Sequence, residues 1–251
     1  MIEEKGFRLT MKDLARYSAE NVHHKVLDCM KAFKRGVILD APSGQGALAK
    51  DLEGLGFKVF PGDIERKNIL YKNGRCTQLD LNGPLPFKDG TFDYVVCVAG
   101  VEHIENPHHL IREFARVIKG DGYLVITTPN VMTIKSRLRF LFYSHFDWFR
   151  YFGPLPPEEN RKLKDVGLSF DFQHINVIFY AELKFILEKY GLEIDKVEAN
   201  RMVRKYKTIY PFVRWFVRYK TGKLQKDPFF ISNTILEGEH LIFVSKKRRG
   251  N

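Results

Sequence analysis

The amino-acid sequence predicts an α/β fold, in which a doubly wound, mostly parallel sheet carries helices on both faces. Two observations predict it. Strand-like and helix-like segments alternate between residues 36 and 130, an order that builds parallel sheets from strand–helix–strand units. A loop with two glycines follows the first strand, at the kind of strand end where open α/β sheets bind ligands. The 251 residues are enough for one such domain with a substantial core.

The alternating series defines five strands and the helices between them. The strand segments are, in order, VILD, FKVF, RCTQLD, FDYVVCV and GYLVITT. Helices are predicted from about residue 45 to residue 55 and, as a short turn, near Ile64. The clearest helix, ENPHHLIREFARVIKGDG, has Asn106 as its cap, Pro107 in its first turn and Gly120 as its stop. Its apolar residues recur at helical spacing and are assigned to the core: Leu110, Ile111, Phe114, Val117 and Ile118.

The flanking segments complete the predicted architecture. A further helix is predicted over AELKFILEKYG and two further strands over LEIDKVEA and HLIFVSK. Residues 8–33 read as a mixed amphipathic helix, so residues 1–34 are interpreted as an N-terminal helical lid and residues 35–251 as the main domain. Two insertions are expected to cap the ligand site: the aromatic, basic and proline-rich residues 131–175, and residues 201–233.

The composition favours a soluble protein with affinity for anionic partners. Hydrophobic residues make up 44% of the chain, and no apolar run reaches the ~20 residues that span a bilayer. The N-terminal residues lack the apolar segment of a signal peptide, and the three cysteines lack disulfide or zinc spacing, so we expect a cytoplasmic location. With 41 basic and 30 acidic residues the net charge is +11, which favours a polyanion or an anionic membrane surface.

The histidine pattern does not predict a metal site. Two adjacent pairs, His23–His24 and His108–His109, are the natural candidates among the eight histidines. Neither pair shows the ligand spacing that is typical of zinc sites, and both are interpreted as residues of exposed helices.

The glycine loop is compatible with three kinds of nucleotide site, of which one can be excluded at once. A phosphate-binding P-loop needs a Gly-Lys-Ser/Thr ending, and the chain has none here. A dinucleotide fingerprint fits literally, because residues 44–49 read G-x-G-x-x-A and Asp63 lies 19 residues beyond Gly44. Such short glycine patterns are weak evidence by themselves, so this alternative stays open.

A third interpretation gives a role to the acid that ends the first strand. Asp40 suits a ligand with an ammonium group, and the free N–H groups at the start of the next helix suit a carboxylate. Asp63, at the tip of the second strand, can accept hydrogen bonds from ribose hydroxyls, and Asp80, at the tip of the third, from an adenine amino group. An amino acid, a ribose and an adenine in a row make S-adenosylmethionine.

Residues 35–130 resemble a class I S-adenosylmethionine-dependent methyltransferase, the seven-stranded Rossmann-like kind, in its small-molecule branch. DAPSGQG occupies the family's D-x-G-x-G-x-G loop, and Pro42 replaces the first glycine of that loop. LPFKDGTFDYVVCVAGVEHIENP resembles the region of the fourth strand, and IREFARVIKGDGYLVITTPN resembles the helix and fifth strand that follow. The resemblance implies S-adenosylmethionine as cofactor and S-adenosylhomocysteine as product.

The resemblance also implies which residues contact the cofactor. They are Asp40, Ala41, Ser43, Gly44, Gly46, Asp63, Ile64, Asp80, Leu81 and Val98. Proline fixes φ near −65° and has no N–H, so Pro42 is expected to tighten the loop and to remove one donor.

Two histidines are candidates for catalysis. A sulfonium methyl is already activated, so a base is needed only where the acceptor is a hydroxyl that must lose its proton. His103 follows the fourth strand, and His174 precedes the later helix in a position that resembles the histidine of related small-molecule enzymes. The Asn/Asp-Pro-Pro-aromatic motif of amino-directed nucleic-acid methylases is missing after the fourth strand, where the chain reads VAGVEH.

Residues 201–226 hold nine lysines or arginines and no acid. Within them apolar residues recur at helical spacing, with Arg214 and Arg218 on another face; the apolar set is Ile209, Phe212, Val213, Phe216 and Val217. Such a helix can lie in a membrane interface. Alternatively its apolar face packs on the domain as a cap and its basic side is solvated, and the sequence does not decide between these.

The sequence therefore predicts an enzyme that transfers a methyl group from S-adenosylmethionine to a small-molecule, glycan or lipid-linked acceptor, by O-methylation and at the inner membrane face. An RNA methyltransferase and an NAD-dependent oxidoreductase are the alternative functions. Nucleic acid is the less favoured partner, and the acceptor, the methylated atom and the oligomeric state are left open.

Overall fold

The computed structural model describes residues 18–147, 174–203, 210–224 and 226–248, together with residues 14, 16 and 149. Its strands are β1 (Val37–Asp40), β2 (Lys58–Asp63), β3 (Thr77–Gln78), β4 (Phe92–Cys97), β5 (Ile118–Pro129), β6 (Leu192–Ala199) and β7 (His240–Lys247). Its α-helices are α1 (Val22–Lys31), α2 (Ala47–Gly54), α3 (Pro107–Val117), α4 (Ile134–Tyr143), α5 (Tyr180–Lys189), α6 (Tyr210–Leu224) and α7 (Asn233–Glu237).

All of these strands belong to one seven-stranded sheet with the order β3-β2-β1-β4-β5-β7-β6. The first five strands run parallel to one another, and β7 runs antiparallel to both β5 and β6. The predicted α/β fold class, with its seven-stranded, mostly parallel sheet, is confirmed. Because the parallel strands end at one edge of the sheet, that edge collects the loops that follow β1, β2 and β4.

Helices cover both faces of the sheet and bury two apolar clusters. On one face, α3 and α5 pack against the strands, and the five apolar residues assigned to the core of the clearest helix are all fully buried. On the other face, α1 and α2 pack against β1, β4 and β7. The α1 contact is made by Val22, Val26 and Met30, so this part of the N-terminal region covers the sheet.

The bounds of several elements differ from those predicted. Asn106 caps α3 as expected, its side-chain oxygen accepting from the His109 N–H at 2.9 Å, and Pro107 opens the helix. The expected stop at Gly120 is wrong, because the backbone is already extended at Ile118 and β5 begins there. The third strand is shorter than predicted and ends at Gln78. The helical lid remains a prediction, since residues 1–13 lie outside the described residues.

Asn130 connects the end of β5 to α7 and Gly238, which directly follow the second insertion. Its side-chain NH₂ donates to the carbonyl oxygens of Ile235 at 2.9 Å and Gly238 at 2.7 Å, and its side-chain oxygen accepts from the Met132 N–H at 2.9 Å. This buried amide fixes the start of the first insertion to the segment that follows the second, because Met132 leads into α4 and Ile235 lies in α7. Most of the first insertion, residues 150–173, lies outside the described residues.

No helix in the described parts of the chain has the length and apolar character that a membrane span requires.

Candidate active site

A cleft of about 550 Å³, partly open to solvent, lies at the sheet edge where β1, β2 and β4 end. Five of the predicted site residues line it: Ser43, Gly44, Asp63, Val98 and His103. Five further lining residues are not among the predicted ones: Ser18, His23, Pro42, Leu48 and Ala99.

The loop between β1 and α2 is shaped by glycines in left-handed conformations. Gly44 has φ 53°, and Gly46, which caps α2, has φ 85°. The Gly44 N–H donates to the Asp63 carboxylate at 2.8 Å, and the Ser43 N–H donates to the Gly62 carbonyl at 2.9 Å. These bonds fix the loop to the tip of β2, so the sequence pattern of glycines and acid corresponds to one connected structure.

Pro42, the departure from the family's loop, is accommodated by a glycine after β4. The Ala41–Pro42 peptide is cis, and the proline ring packs against Gly100. A Cβ on Gly100 would lie 2.5 Å from Pro42 Cδ and 2.8 Å from Cys97 Sγ, which is closer than non-bonded atoms approach. The backbone of the β4 loop therefore comes close to the glycine loop, and this closeness needs glycine at position 100.

Asp40 is the last residue of β1, and its side chain is a buried carboxylate. The residue is 1% exposed, and one carboxylate oxygen accepts from the Ser43 hydroxyl at 2.9 Å. The other oxygen, Oδ1, is buried without a hydrogen-bond partner among the described residues. Burial, with a smaller contribution from Asp63, raises the pKa of Asp40 to about 7. A buried carboxylate of this kind fits a cationic ligand group, because a cation would compensate the lost hydration.

Asp63 stands at the end of β2 and is 5% exposed. Its carboxylate accepts the Gly44 N–H at 2.8 Å and the Glu65 N–H at 3.4 Å, and burial raises its pKa. The first-turn N–H groups of α2 lie beside the loop and have no partners within the helix. Together these groups fit the cofactor expected from the sequence: Asp40 for its ammonium, the start of α2 for its carboxylate and Asp63 for its ribose.

The residues predicted to contact the adenine, Asp80 and Leu81, are not among those that line the cleft. Asp80 is exposed, and its carboxylate accepts the Asn82 N–H at 2.8 Å. Leu81 is buried, and Ile64 is 55% exposed. Ala41 is buried behind the loop. These residues, together with Asp40 and Gly46, are not among those that line the cleft, and their contact with the cofactor remains a prediction.

His103 and His174 come together although 71 positions separate them in the sequence. Their ring centroids are 4.8 Å apart. The carbonyl oxygen of Glu102 accepts the N–H groups of Ile175 at 2.9 Å and Asn176 at 3.0 Å, and the Asn176 side chain donates to the Ile104 carbonyl. These bonds fix the segment before α5 over the turn after β4.

Glu102 is fully buried, and one of its carboxylate oxygens lies within 4.8 Å of a ring nitrogen of each histidine. Burial raises its pKa to about 8. The sequence analysis did not assign it a role, because an acid after a strand is usually exposed. The only signal available was its place in the VEH segment beside His103.

His23 reaches the cleft from α1 on the opposite side. Burial lowers its pKa to about 4, so its imidazole is neutral at physiological pH. The sequence analysis considered this histidine only as part of an adjacent pair. Its contact with the cleft depends on how α1 packs on the sheet, which residue spacing does not reveal.

Comparison with known proteins identifies the family. The model of a family described as "Methyltransferase domain" matches residues 10–197, well over half of the chain. The chain belongs to this methyltransferase family. The predicted class I methyltransferase and its cofactor S-adenosylmethionine are confirmed at the level of the family, and the NAD-dependent alternative is not supported.

Individual relatives are more distant. The chain is 28% identical over 102 residues to the ubiquinone biosynthesis O-methyltransferase of Thiobacillus denitrificans, a match that covers 37% of this chain and 44% of that protein. It is 27% identical over 181 residues to the enzyme of the same name from Pelagibacter ubique, covering 62% and 75% of the two chains. The chain thus spans less than half of the Thiobacillus relative.

The fold is shared with solved structures at low sequence identity. A S-adenosylmethionine-dependent methyltransferase of Archaeoglobus fulgidus has a TM-score of 0.53 and 20% identity, over 90% of this chain and 93% of that one. This similarity supports the fold, and the acceptor has to be inferred from the chain's own residues.

Proposed function

We propose that this member of the methyltransferase family transfers a methyl group from S-adenosylmethionine to a hydroxyl oxygen of a small-molecule, glycan or lipid-linked acceptor at an anionic membrane surface. The observation that carries the proposal is that Gly44, Asp63 and His103 line the same cleft. Residues predicted to bind the cofactor and a side chain that can accept a proton therefore line the same cleft. The names of the two O-methyltransferase relatives favour oxygen as the methylated atom.

The chain's own residues have two tasks in this reaction. When bound, S-adenosylmethionine supplies a methyl group that is already activated by the sulfonium. The protein has to hold the acceptor in line with that methyl group, and positioning of this kind can lower a barrier by roughly 7–11 kcal/mol. A ring nitrogen of His103 or His174 is the candidate to accept the hydroxyl proton, because these rings stand beside the cleft.

The methylation is tested by following S-adenosylhomocysteine formation by purified protein with a panel of acceptors. The panel begins with glycans and polyprenyl-linked sugars and includes hydroxylated aromatic compounds. We expect turnover with one acceptor class and its loss in Asp63→Ala. Binding of S-adenosylmethionine without turnover on any acceptor, RNA included, would contradict the enzymatic proposal.

The membrane part of the proposal rests on the orientation of α6. Arg214 and Arg218 face the protein: Arg214 pairs with the buried Glu237 at 3.0 Å, and Arg218 donates to the Ile231 carbonyl at 3.0 Å. The outward side chains are aromatic, with Phe212 67%, Trp215 60%, Phe216 48% and Tyr219 48% exposed. The sequence interpretation with solvated arginines and a packed Phe212–Phe216 face is therefore wrong, because the arginines are the groups with hydrogen-bond partners on the domain.

Lysines add positive charge to this aromatic face. Lys220 Nζ lies 5.8 Å from the centre of the Phe216 ring, and Lys223 Nζ lies 4.4 Å from that of Tyr219. Aromatic rings with flanking cations suit the interface of an anionic bilayer, where rings enter the headgroup region and lysines meet phosphates. Helix α4 also exposes large apolar side chains, namely Leu141, Phe142 and Tyr143, each more than 70% exposed.

Cosedimentation with vesicles tests the membrane surface. We expect binding to vesicles with anionic lipid and little binding to zwitterionic vesicles. Trp215→Ser with Phe216→Ser should weaken vesicle binding about tenfold, since ~1.4 kcal/mol corresponds to a factor of ten. Phe185→Ser, which removes a 60% exposed ring from α5, is the matched control. Binding without lipid-charge preference, or salt-sensitive RNA binding in its place, would contradict this part.

A further inference from the structure

Three side chains with metal-ligand chemistry meet beside the cleft. Glu102 and His103 come from the turn after β4, and His174 comes from the segment before α5. One carboxylate oxygen of Glu102 and one ring nitrogen of each histidine all lie within 4.8 Å of one another. Glu102 and His103 are adjacent in this Glu102–His103–His174 cluster, whereas His174 lies 71 positions after His103, so no short ligand motif marks the three residues.

The Glu102 carboxylate gives independent evidence of a ligand. The residue is fully buried, and both of its carboxylate oxygens lack a hydrogen-bond partner among the described residues. A buried carboxylate without hydrogen bonds is costly, and proteins usually pair such a group or use it to coordinate a metal ion. His103 and His174 each bring a ring nitrogen within 4.8 Å of one of the Glu102 oxygens.

We propose that Glu102, His103 and His174 bind one divalent transition-metal ion of the zinc type. Two imidazoles and one carboxylate are a donor set that zinc and similar borderline ions prefer over magnesium or calcium. Three protein ligands leave at least one coordination position open, which is the arrangement of catalytic rather than structural sites.

The backbone holds the cluster in a nearly complete arrangement. Around a tetrahedral zinc with bonds of about 2.0 Å, ligand atoms lie about 3.3 Å apart. The ligand atoms of the cluster, which lie within 4.8 Å of one another, therefore have to move only slightly closer together. Rotation of the half-buried histidine rings can provide this movement. The hydrogen bonds from Ile175 and Asn176 to the Glu102 carbonyl keep the two segments together while the side chains adjust.

The open coordination position would face the cleft on the side of His103, which is one of the residues lining it. This role, unlike metal binding itself, rests on the proposed function. A hydroxyl bound there would become more acidic and would release its proton to solvent, so with the metal bound neither His103 nor His174 has to accept that proton. Its oxygen forms a bond to the methyl carbon, the carbon–sulfur bond breaks, and the electron pair of that bond stays on sulfur. The proposal thus gives the cluster a place in orienting and activating the acceptor.

Titration of the full-length protein with Co²⁺ tests the site without any assay of activity. Protein freed of metal by a chelator is titrated while the visible absorption of bound Co²⁺ is recorded, and Zn²⁺ is titrated by calorimetry. We expect one equivalent to bind. Glu102→Gln and His174→Gln should each weaken binding at least tenfold, and His24→Gln, which removes an exposed histidine of α1, should not. Thermal unfolding shows which variants are folded.

Two results would overturn the site: no binding of Co²⁺ or Zn²⁺ at one equivalent, or equal affinities in the cluster variants and in His24→Gln. Calorimetry with S-adenosylmethionine on the same samples separates this inference from the proposed function. Retained cofactor binding without metal binding overturns the metal site alone. Failure of the wild type to bind the cofactor counts against the proposed function, whatever the metal result.

Discussion

The two sides of the cleft are held together by different kinds of interaction. On the cofactor side, main-chain geometry dominates: Gly44 and Gly46 have positive φ, and the Gly44 N–H donates to Asp63. On the proposed acceptor side, side chains from distant segments meet, as His174 does with His103. A left-handed loop requires glycine at fixed places and so leaves a pattern in the sequence. Contacts between distant segments leave no such pattern.

This difference has a consequence for substitutions. Changes to the loop backbone should affect cofactor binding strongly, because several ligand groups depend on one loop conformation. Changes on the other side should affect stability or acceptor use and should leave cofactor affinity nearly unchanged.

The largest effect is expected for Gly46→Ala. The residue has φ 85°, and a Cβ there would lie 2.7 Å from Tyr71 Cβ. Backbone strain and the collision together should cost ~2–3 kcal/mol, which corresponds to about a 100-fold loss of S-adenosylmethionine affinity. Gly54→Ala, at the other end of α2, is the matched control, because no atom lies within 4 Å of its new Cβ. Equal affinities of the two variants in calorimetry would contradict the role of the loop.

The next effect is expected on the other side, for Asn130→Ala. The substitution leaves the buried carbonyls of Ile235 and Gly238 without their shared donor. We expect the free energy of unfolding to fall by about 2 kcal/mol, measured by chemical denaturation. Asn82→Ala, which removes an exposed amide that accepts the Glu105 N–H, should cost less. Cofactor affinity of the folded Asn130→Ala protein should match the wild type, and a loss above about tenfold would contradict the independence of the two sides.

The smallest effect is expected for Asp40→Asn and depends on pH. Because burial raises the pKa of Asp40 to about 7, the carboxyl is largely neutral at pH 5.5 and ionised at pH 7.5. Affinity for the cofactor's ammonium should therefore rise with pH over this range. Asp40→Asn should bind about tenfold more weakly at pH 7.5 and should lose most of the rise. Asp63, whose pKa is also raised, lines the cleft and contributes to the remainder, whereas His23, with a pKa of about 4, stays neutral over this range.

The same raised pKa affects the stability of the free protein in the opposite direction. A carboxyl whose pKa is higher in the folded state stabilises the fold at low pH, and this contribution is lost as pH rises through about 7. Bound cofactor should offset the loss. A melting-temperature shift by S-adenosylmethionine that is larger at pH 7.5 than at pH 5.5 would agree with this, and the reverse order would contradict it.

The sequence predicted much of the fold because its signals were local. The strand VILD, the Asn106 cap and the apolar stripe of α3 each depend on residues within one element. The end of α3 was placed too late because Gly120 is a common helix stop, whereas the chain turns directly into a long strand at Ile118.

The candidate site could be predicted only where its residues belong to a short sequence pattern. Gly44 and Asp63 were found through the loop pattern. His23 and Glu102 were missed because each reaches the cleft region through tertiary packing, of α1 in one case and of the turn after β4 in the other. The outward face of α6 was left open, since helical spacing distinguishes two faces without saying which one packs.

The most direct test of the central claim is calorimetric titration of the purified protein with S-adenosylmethionine and, separately, with NADH. Repeating both titrations on Asp63→Ala tests the loop, and Asp195→Asn, an exposed acid on β6, is the matched control. We predict saturable binding of S-adenosylmethionine, weakened at least about tenfold in Asp63→Ala and unchanged in Asp195→Asn, with no binding of NADH. Binding of NADH alone, or equal S-adenosylmethionine affinities in the two variants, would contradict the assignment of this cleft as the methyl donor's site.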